Sequence, residues 1–404
     1  MTTTAAATKV TGRTANLVLA TWTFAITFWA WNLIGPLGTR YAEDLDLTST
    51  QKSLLVAIPV LVGAVGRIPV GALTDRYGGR LMLGVLSLAS IVPVLLVTYA
   101  GNQGSYGLLL AFGFLLGIAG TTFAAGIPFV NAWYEPSRRG FATGVFGAGM
   151  GGTALSSFFT PRFVERYGYT TAHVIVAVAL AVTGVVVLLA MRDAPAWRRS
   201  TESVLPKLAA AMRLPVTWQM SFLYAVTFGG FVAFSTYLPT YLKDVYGFDL
   251  SGAGTRTAGF AIAAVLARPI GGMLSDRIHP KPVVLTSLGA VAALAVLMAA
   301  QPQPEVPAGI VFVSMAFFLG LGTGGVFAWV SLRTPPERVG SVAGVVGAAG
   351  GLGGFFPPLV LGATYDEADH SYTTGLVLLC ATALGAFFYV LFRLRKEDAP
   401  ARTA

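Results

Sequence analysis

Apolar residues in this chain come in blocks of about 20, each closed by a short polar cluster. A block of that length spans the roughly 30 Å of a bilayer's hydrocarbon at about 1.5 Å per helical residue. Twelve such blocks recur along the whole length, at about 16–38, 51–73, 80–100, 105–130, 141–163, 170–191, 216–241, 252–274, 282–300, 307–330, 341–362 and 372–392. The pattern predicts an all-α membrane protein with twelve transmembrane helices.

The longest polar interruption, 192–215, gathers Arg192, Arg198, Arg199, Lys207 and Arg213 with Pro195, Pro206 and Pro215. It reads as a linker whose charge follows the membrane surface. Across it the sequence repeats. Arg67-Ile-Pro-Val-Gly-Ala-Leu-Thr-Asp75-Arg76 is answered 201 residues later by Arg268-Pro-Ile-Gly-Gly-Met-Leu-Ser-Asp276-Arg277, and Arg138-Arg139-Gly140 by Arg338-Val339-Gly340 at an offset of 200. Two six-helix halves related by a parallel repeat place a substrate site near the midplane, where the halves meet. The expected organisation is a tail at 1–15, a half at 16–191, the linker at 192–215, a half at 216–392 and a tail at 393–404. The Thr/Ala-rich stretch 1–15 is read as a polar tail and not as a cleavable signal peptide.

Composition agrees: 55% of the 404 residues are hydrophobic, 11% are charged and 48 are glycine, a balance foreign to a soluble domain. The net charge of +9 would suggest a nucleic-acid partner but for its placement. With the N-terminus inside, the inner tails and loops hold 19 of the 27 Lys and Arg, the outer connections hold 6, and two lie within spans. This is the positive-inside bias. It puts both termini in the cytoplasm of a multi-pass cell-membrane (inner-membrane) protein, with the lipid bilayer and no nucleic acid as partner. Cys380, the single cysteine, lies in the last span and offers no disulfide or thiol-metal site. His173, His279 and His370 fall at span ends or in loops, and no paired carboxylates, metal motif or phosphate motif appear. No enzyme, cofactor or metal is expected.

The two intramembrane cations are Arg67 and Arg268. An arginine near the bilayer centre costs about 2.5–3.5 kcal/mol on insertion scales, so by default it faces a cavity and binds something there. Each precedes an inner-surface aspartate by eight residues, about 12 Å of helix, which sets both near mid-depth. A guanidinium stays charged and presents two parallel donors, which suits a planar oxyanion better than a lysine does. Two of them, matched by the repeat, suggest one anion held between them. Tyr224 and Phe228 share a helix face at i, i+4 and can point inward together to sandwich a flat ion.

The segment Gly71-Ala-Leu-Thr-Asp75-Arg76-Tyr-Gly78-Gly79-Arg80, with its weaker echo through Asp276 and Arg277, resembles the inner-loop signature of the major facilitator superfamily. In that reading Asp75 and Asp276 accept from amides at a neighbouring helix N-terminus while Arg76 and Arg277 pair with inner-surface acids, latching one gate state. A narrower likeness, to the nitrate/nitrite porters, rests on the two arginine segments and on two glycine runs. These are Gly144, Gly147, Gly149, Gly151 and Gly152 in span 5, and Gly347, Gly350, Gly351, Gly353 and Gly354 in span 11. The resemblance implies that Arg67 and Arg268 grip the anion, that Tyr224 and Phe228 match the family's Tyr-x-x-x-Phe, and that Phe123 is its helix-4 aromatic. The glycines imply close packing and sliding of spans 5 and 11 during alternating access. This chain departs from the family in one respect: Asn16, Asn32, Asn102 and Asn131 all fall outside spans 5 and 11, where family members carry asparagine. Asn32 reads as a contact between helices.

The expected function is therefore a secondary transporter, working as a monomer, that moves nitrate and nitrite by alternating access and serves nitrate assimilation. Exchange is the expected mode. Proton-coupled symporters route the proton through an intramembrane acid or histidine, and the acids here fall in loops, tails or span ends. The alternatives are proton symport, carriage of cyanate or a small monocarboxylate, and a non-transporting anion sensor.

Overall fold

The computed structural model describes residues 12–135, 138–195, 197–199, 204–334 and 338–394. Its elements are α1 (Arg13–Asp44), α2 (Ser49–Tyr77), α3 (Gly79–Asn102), α4 (Tyr106–Ala132), α5 (Arg139–Gly147, Ala148–Gly151 and Gly152–Tyr167), α6 (Tyr169–Ala190), α7 (Pro215–Tyr246), α8 (Leu250–Ile278), α9 (Pro280–Ala299), α10 (Val306–Arg333), α11 (Val339–Ala363) and α12 (Thr373–Arg393). These are two six-helix halves, α1–α6 and α7–α12. Most of the expected tails, and residues 196 and 200–203 of the expected linker, lie outside the described residues.

Eleven of these helices are long and apolar enough to cross a membrane; α5 falls outside that set. The reason is composition, because Gly147, Gly149, Gly151, Gly152, Thr153, Ser156 and Ser157 dilute its hydrophobicity. The stretch expected to be only a linker contains a helix, Val204–Met212, which packs on α7 and α11. Local signals set the boundaries. Thr48 and Gln51 form a capping box at the start of α2, and Asp249 caps α8 by accepting from the Gly252 amide.

Lipid-facing and protein-facing surfaces separate as a bilayer requires. Along α6, Val174, Val178, Val182, Val185 and Leu189 are exposed on one apolar face, while Ala172, Val176, Leu180 and Val187 are buried. Small residues let backbones meet on the other faces. A Cβ on Gly271 would lie 2.0 Å from the Leu321 carbonyl oxygen, and one on Gly152 would lie 2.0 Å from that of Ala25, so α8 with α10 and α5 with α1 cross in near backbone contact.

The halves touch unevenly. The Ser49–Val65 part of α2 packs along α11 and the Gly152–Tyr167 part of α5 packs along α8, whereas Arg67–Tyr77 and Arg139–Gly147 have far less across the divide. The first pair lies toward the end of the bundle that carries the 45–48 and 247–249 turns, the end the charge bias assigns to the outside. The molecule is closed at that end and parted at the other.

Candidate functional site

Arg67 starts the second stretch of α2, just after a break at Gly66 where α2 meets Thr121 of α4. Its side chain is 4% exposed. Nη1 donates to the Gly347 carbonyl of α11 at 2.7 Å, and Nε has no partner among the described residues. Arg268 of α8 enters from the other half. Its Nη2 donates to the Tyr224 hydroxyl at 3.4 Å and its Nη1 touches Met150 Sδ.

Both guanidiniums stand over one ring, that of Phe123 on α4, with Cζ 5.0 Å from its centroid for Arg67 and 6.0 Å for Arg268. Arg67 also lies 5.6 Å from the Phe228 ring, and Arg268 lies 5.7 Å from Phe327 of α10. Tyr224 and Phe228 are stacked, with centroids 4.9 Å apart and planes 6° from parallel, and Phe327 meets Tyr224 edge-on at 4.7 Å. The result is a buried cluster, called the chamber below, of two forked cations enclosed by aromatic rings. Such rings hold guanidiniums through their π-faces and keep water out without competing as anions. No acid lines it among the described residues.

The structure therefore brings Arg67, Arg268, Phe123, Tyr224 and Phe228 to one place. The sequence reading passed over Phe327, Met150 and the Gly347 carbonyl. Nothing in the sequence pointed to helix 10, where Phe327 lies, and a backbone carbonyl leaves no trace in side-chain identity.

The glycine runs divide by what they face. A Cβ on Gly147 would lie about 4.0 Å from the Arg268 guanidinium, while Gly347 faces Phe123, Gly350 faces Tyr224 and Phe228, and Gly351 faces Ala64 and Arg67 of the opposite half. Gly149 and Gly152 pack on α1, and Gly353 and Gly354 on α7, all within their own halves. Gly144 and Gly151 have open space where a side chain would go. Asn32 donates to the Thr153 carbonyl on α5 at 3.5 Å, a contact between helices.

At the inner end, Asp75 lines a cavity of about 300 Å³ with Thr74, Asp193, Trp197 and Arg198, and Asp276 lines one of about 480 Å³ with Ser275, His279 and Ser331. Arg76 and Arg277 are exposed, the former over the ring of Tyr77. The Arg80 amide at the start of α3 donates to Asp193, a residue the sequence reading did not single out.

The outer end is held by contacts between halves. Lys52 Nζ of α2 lies 2.6 Å from Asp244 Oδ2 of α7, with the side chains 8% and 13% exposed. The Tyr372 hydroxyl donates to the same carboxylate oxygen, and Tyr237 links Tyr372 to Ser53 of α2. Lys243 pairs with Glu43, and Arg162 donates to Thr255 at 2.7 Å. Burial pushes the Tyr365 hydroxyl, beside this cluster, up to about 12, with Asp244, Glu367 and Asp366 adding to the shift.

Comparison with known proteins gives a consistent result. The family model for the Major Facilitator Superfamily matches residues 20–358 and 250–403. The chain is 63% identical over 385 residues, 95% of its own length and 98% of the relative's, to a probable nitrate/nitrite transporter NarK2 of Mycobacterium tuberculosis. It is 33% identical over 371 residues to a nitrite extrusion protein of Bacillus subtilis, with 92% of each chain covered. A probable nitrate/nitrite antiporter NarK1 of Thermus thermophilus is 35% identical over 376 residues, covering 85% of this chain and 83% of that one. Among solved structures, a bacterial homologue of the human lysosomal transporter Spinster, inward-facing and occupied, superposes with a TM-score of 0.69 over 94% of this chain and 96% of that one, at 17% identity.

Proposed function

Since the chain belongs to the major facilitator superfamily and, within it, to the nitrate/nitrite porters, we propose that it carries nitrate and nitrite across the membrane by alternating access. The observation that carries this reading is the convergence of Arg67 and Arg268, one from each half, on the single ring of Phe123. A planar oxyanion between them would take forked donors from both halves while the rings exclude water.

Exchange of nitrate against nitrite is the mode this site favours. Two guanidiniums with no acid between them repel each other, at a cost on the order of kcal/mol for charges a few ångströms apart in a partly desolvated site. The empty chamber resists drawing its two halves together, and a bound anion relieves the repulsion, so the loaded carrier crosses most readily. Asp244, a partly buried acid near a span end, is tied to Lys52 at the outer end and away from the two arginines. In this reading the inner turns around Asp75, Arg76, Asp276 and Arg277 hold the alternative, outward-facing state. Both termini are cytoplasmic, and one chain suffices because both arginines come from it.

Proteoliposomes preloaded with nitrite, nitrate or no anion test the mode. Uptake of labelled nitrate should require an anion on the far side. Uptake into empty vesicles driven by an inward proton gradient would replace exchange with symport, and absence of any nitrate or nitrite flux would remove the substrate assignment itself.

A further inference from the structure

The outer end holds a cation that transport through the chamber does not obviously need. Lys52 opens a buried stripe along α2, Ser53, Ala57, Val60, Ala64 and Arg67, spaced at three or four residues. That stripe follows α11. A Cβ on Gly362 would overlap the Ser53 hydroxyl, one on Gly351 would meet Ala64 at 2.7 Å, and the Gly347 carbonyl accepts from Arg67. One seam of small side chains thus runs from Lys52 at the outer mouth to Arg67 in the chamber, a distance of about 22 Å for 15 residues of helix.

Opening the outer end parts this seam and pulls Lys52 from Asp244, because the two belong to different halves. The carboxylate keeps a donor when that happens. Tyr372 lies on the same half as Asp244, and its phenol, protonated at neutral pH, goes on donating. The ammonium loses its only ion-pair partner among the described residues, and Tyr365, whose ring lies 5.9 Å away, leaves with the half that carries Asp244. An unpaired ammonium at the mouth of an anion path draws an anion to it, since fixed charge lining a cleft raises the local counter-ion concentration.

We propose that Lys52 is an outer receiving site for the transported oxyanion, and that the Asp244 carboxylate and the incoming anion are alternative counter-ions for the same ammonium. In the inward-facing state Asp244 occupies the cation and shuts the path. In the outward-facing state the anion takes the ammonium first and passes along the α2–α11 seam to Arg67 and Arg268. An anion arriving outside also stabilises the open mouth, so substrate itself offsets the loss of the ion pair.

This inference rests on the nitrate/nitrite reading, and the test separates the two. Nitrite uptake would be measured in right-side-out proteoliposomes preloaded with nitrate, and in everted ones, for the wild type, Asp244→Asn, Lys52→Met and the doubly neutral Lys52→Met/Asp244→Asn. All three variants lose the ion pair, but only Asp244→Asn keeps the cation. A receiving role predicts an external KM in both Lys52→Met variants roughly tenfold above that of Asp244→Asn, with the internal KM alike in all. External KM in Asp244→Asn should also rise with added salt while the Lys52→Met variants respond little. Should Lys52→Met fail to fold because it leaves a buried carboxylate unpaired, the doubly neutral variant provides the same comparison. Coincident external KM values in Asp244→Asn and the Lys52→Met variants would make the pair a structural latch only and overturn the proposal. A wild type that moves no nitrite would instead overturn the substrate reading.

Discussion

At the scale of single residues, the chamber asks more of its arginines than positive charge. Arg67 touches the Gly347 carbonyl while its Nε is unpartnered, and Arg268 reaches the Tyr224 hydroxyl, so each guanidinium is oriented with donors to spare. Lysine keeps the charge but loses the fork, and a hydrogen bond to a charged group contributes about 1.5–3 kcal/mol. Arg67→Lys and Arg268→Lys should each weaken nitrate binding by roughly tenfold or more in calorimetry of purified protein, and alanine should abolish it. Wild-type affinity in either lysine variant would exclude forked coordination. Phe123→Leu should also weaken binding, because both guanidiniums lose the ring that positions them and a cation–π contact contributes about 0.5–2 kcal/mol. The arginines were legible in the sequence since a cation inside an apolar block is costly wherever it faces. Phe327 was not, because nothing in one aromatic's identity among 47 says which direction it points.

At the scale of helices, the glycines of α11 perform two tasks that spacing alone merges. Gly353 and Gly354 press on Ala225, Val232 and Gly229 of α7 inside one half, and Gly351 meets Ala64 of α2 across the divide. A methyl at Gly353 would stand 2.3 Å from the Ala225 carbonyl oxygen, so Gly353→Ala should cost about 1–3 kcal/mol of overpacking and lower the melting temperature in detergent. Gly351→Ala obstructs a contact that exists only while the outer seam is shut. It should leave the folded protein and its anion binding largely intact while slowing exchange in proteoliposomes, and equal losses of melting temperature and flux in both variants would reduce Gly351 to packing. Gly144→Ala, with open space around it, serves as the neutral comparison.

Across the whole molecule, the uneven contact between halves closes the bundle at one end, and the charge bias supports our proposal that this end faces outward. A reporter active only in the cytoplasm, fused after residue 404, should be active, and one active only outside, inserted in the connection between α11 and α12, should also be active; the reverse pattern would invert the topology. The sequence alone determined the twelve-helix plan and the repeat that pairs Arg67 with Arg268. Hydrocarbon thickness, helical rise and the cost of a bare charge leave little freedom in those matters. The resemblance to the porters, not spacing alone, singled out Tyr224 and Phe228, since any aromatic pair at i and i+4 shares a face. Only the tertiary structure decided that the 192–215 connection contains a helix and that Lys52 meets Asp244 rather than Glu43. Those outcomes depend on which surfaces the two halves present to each other, and a contact between residues 192 positions apart leaves no period or run in the chain that could announce it.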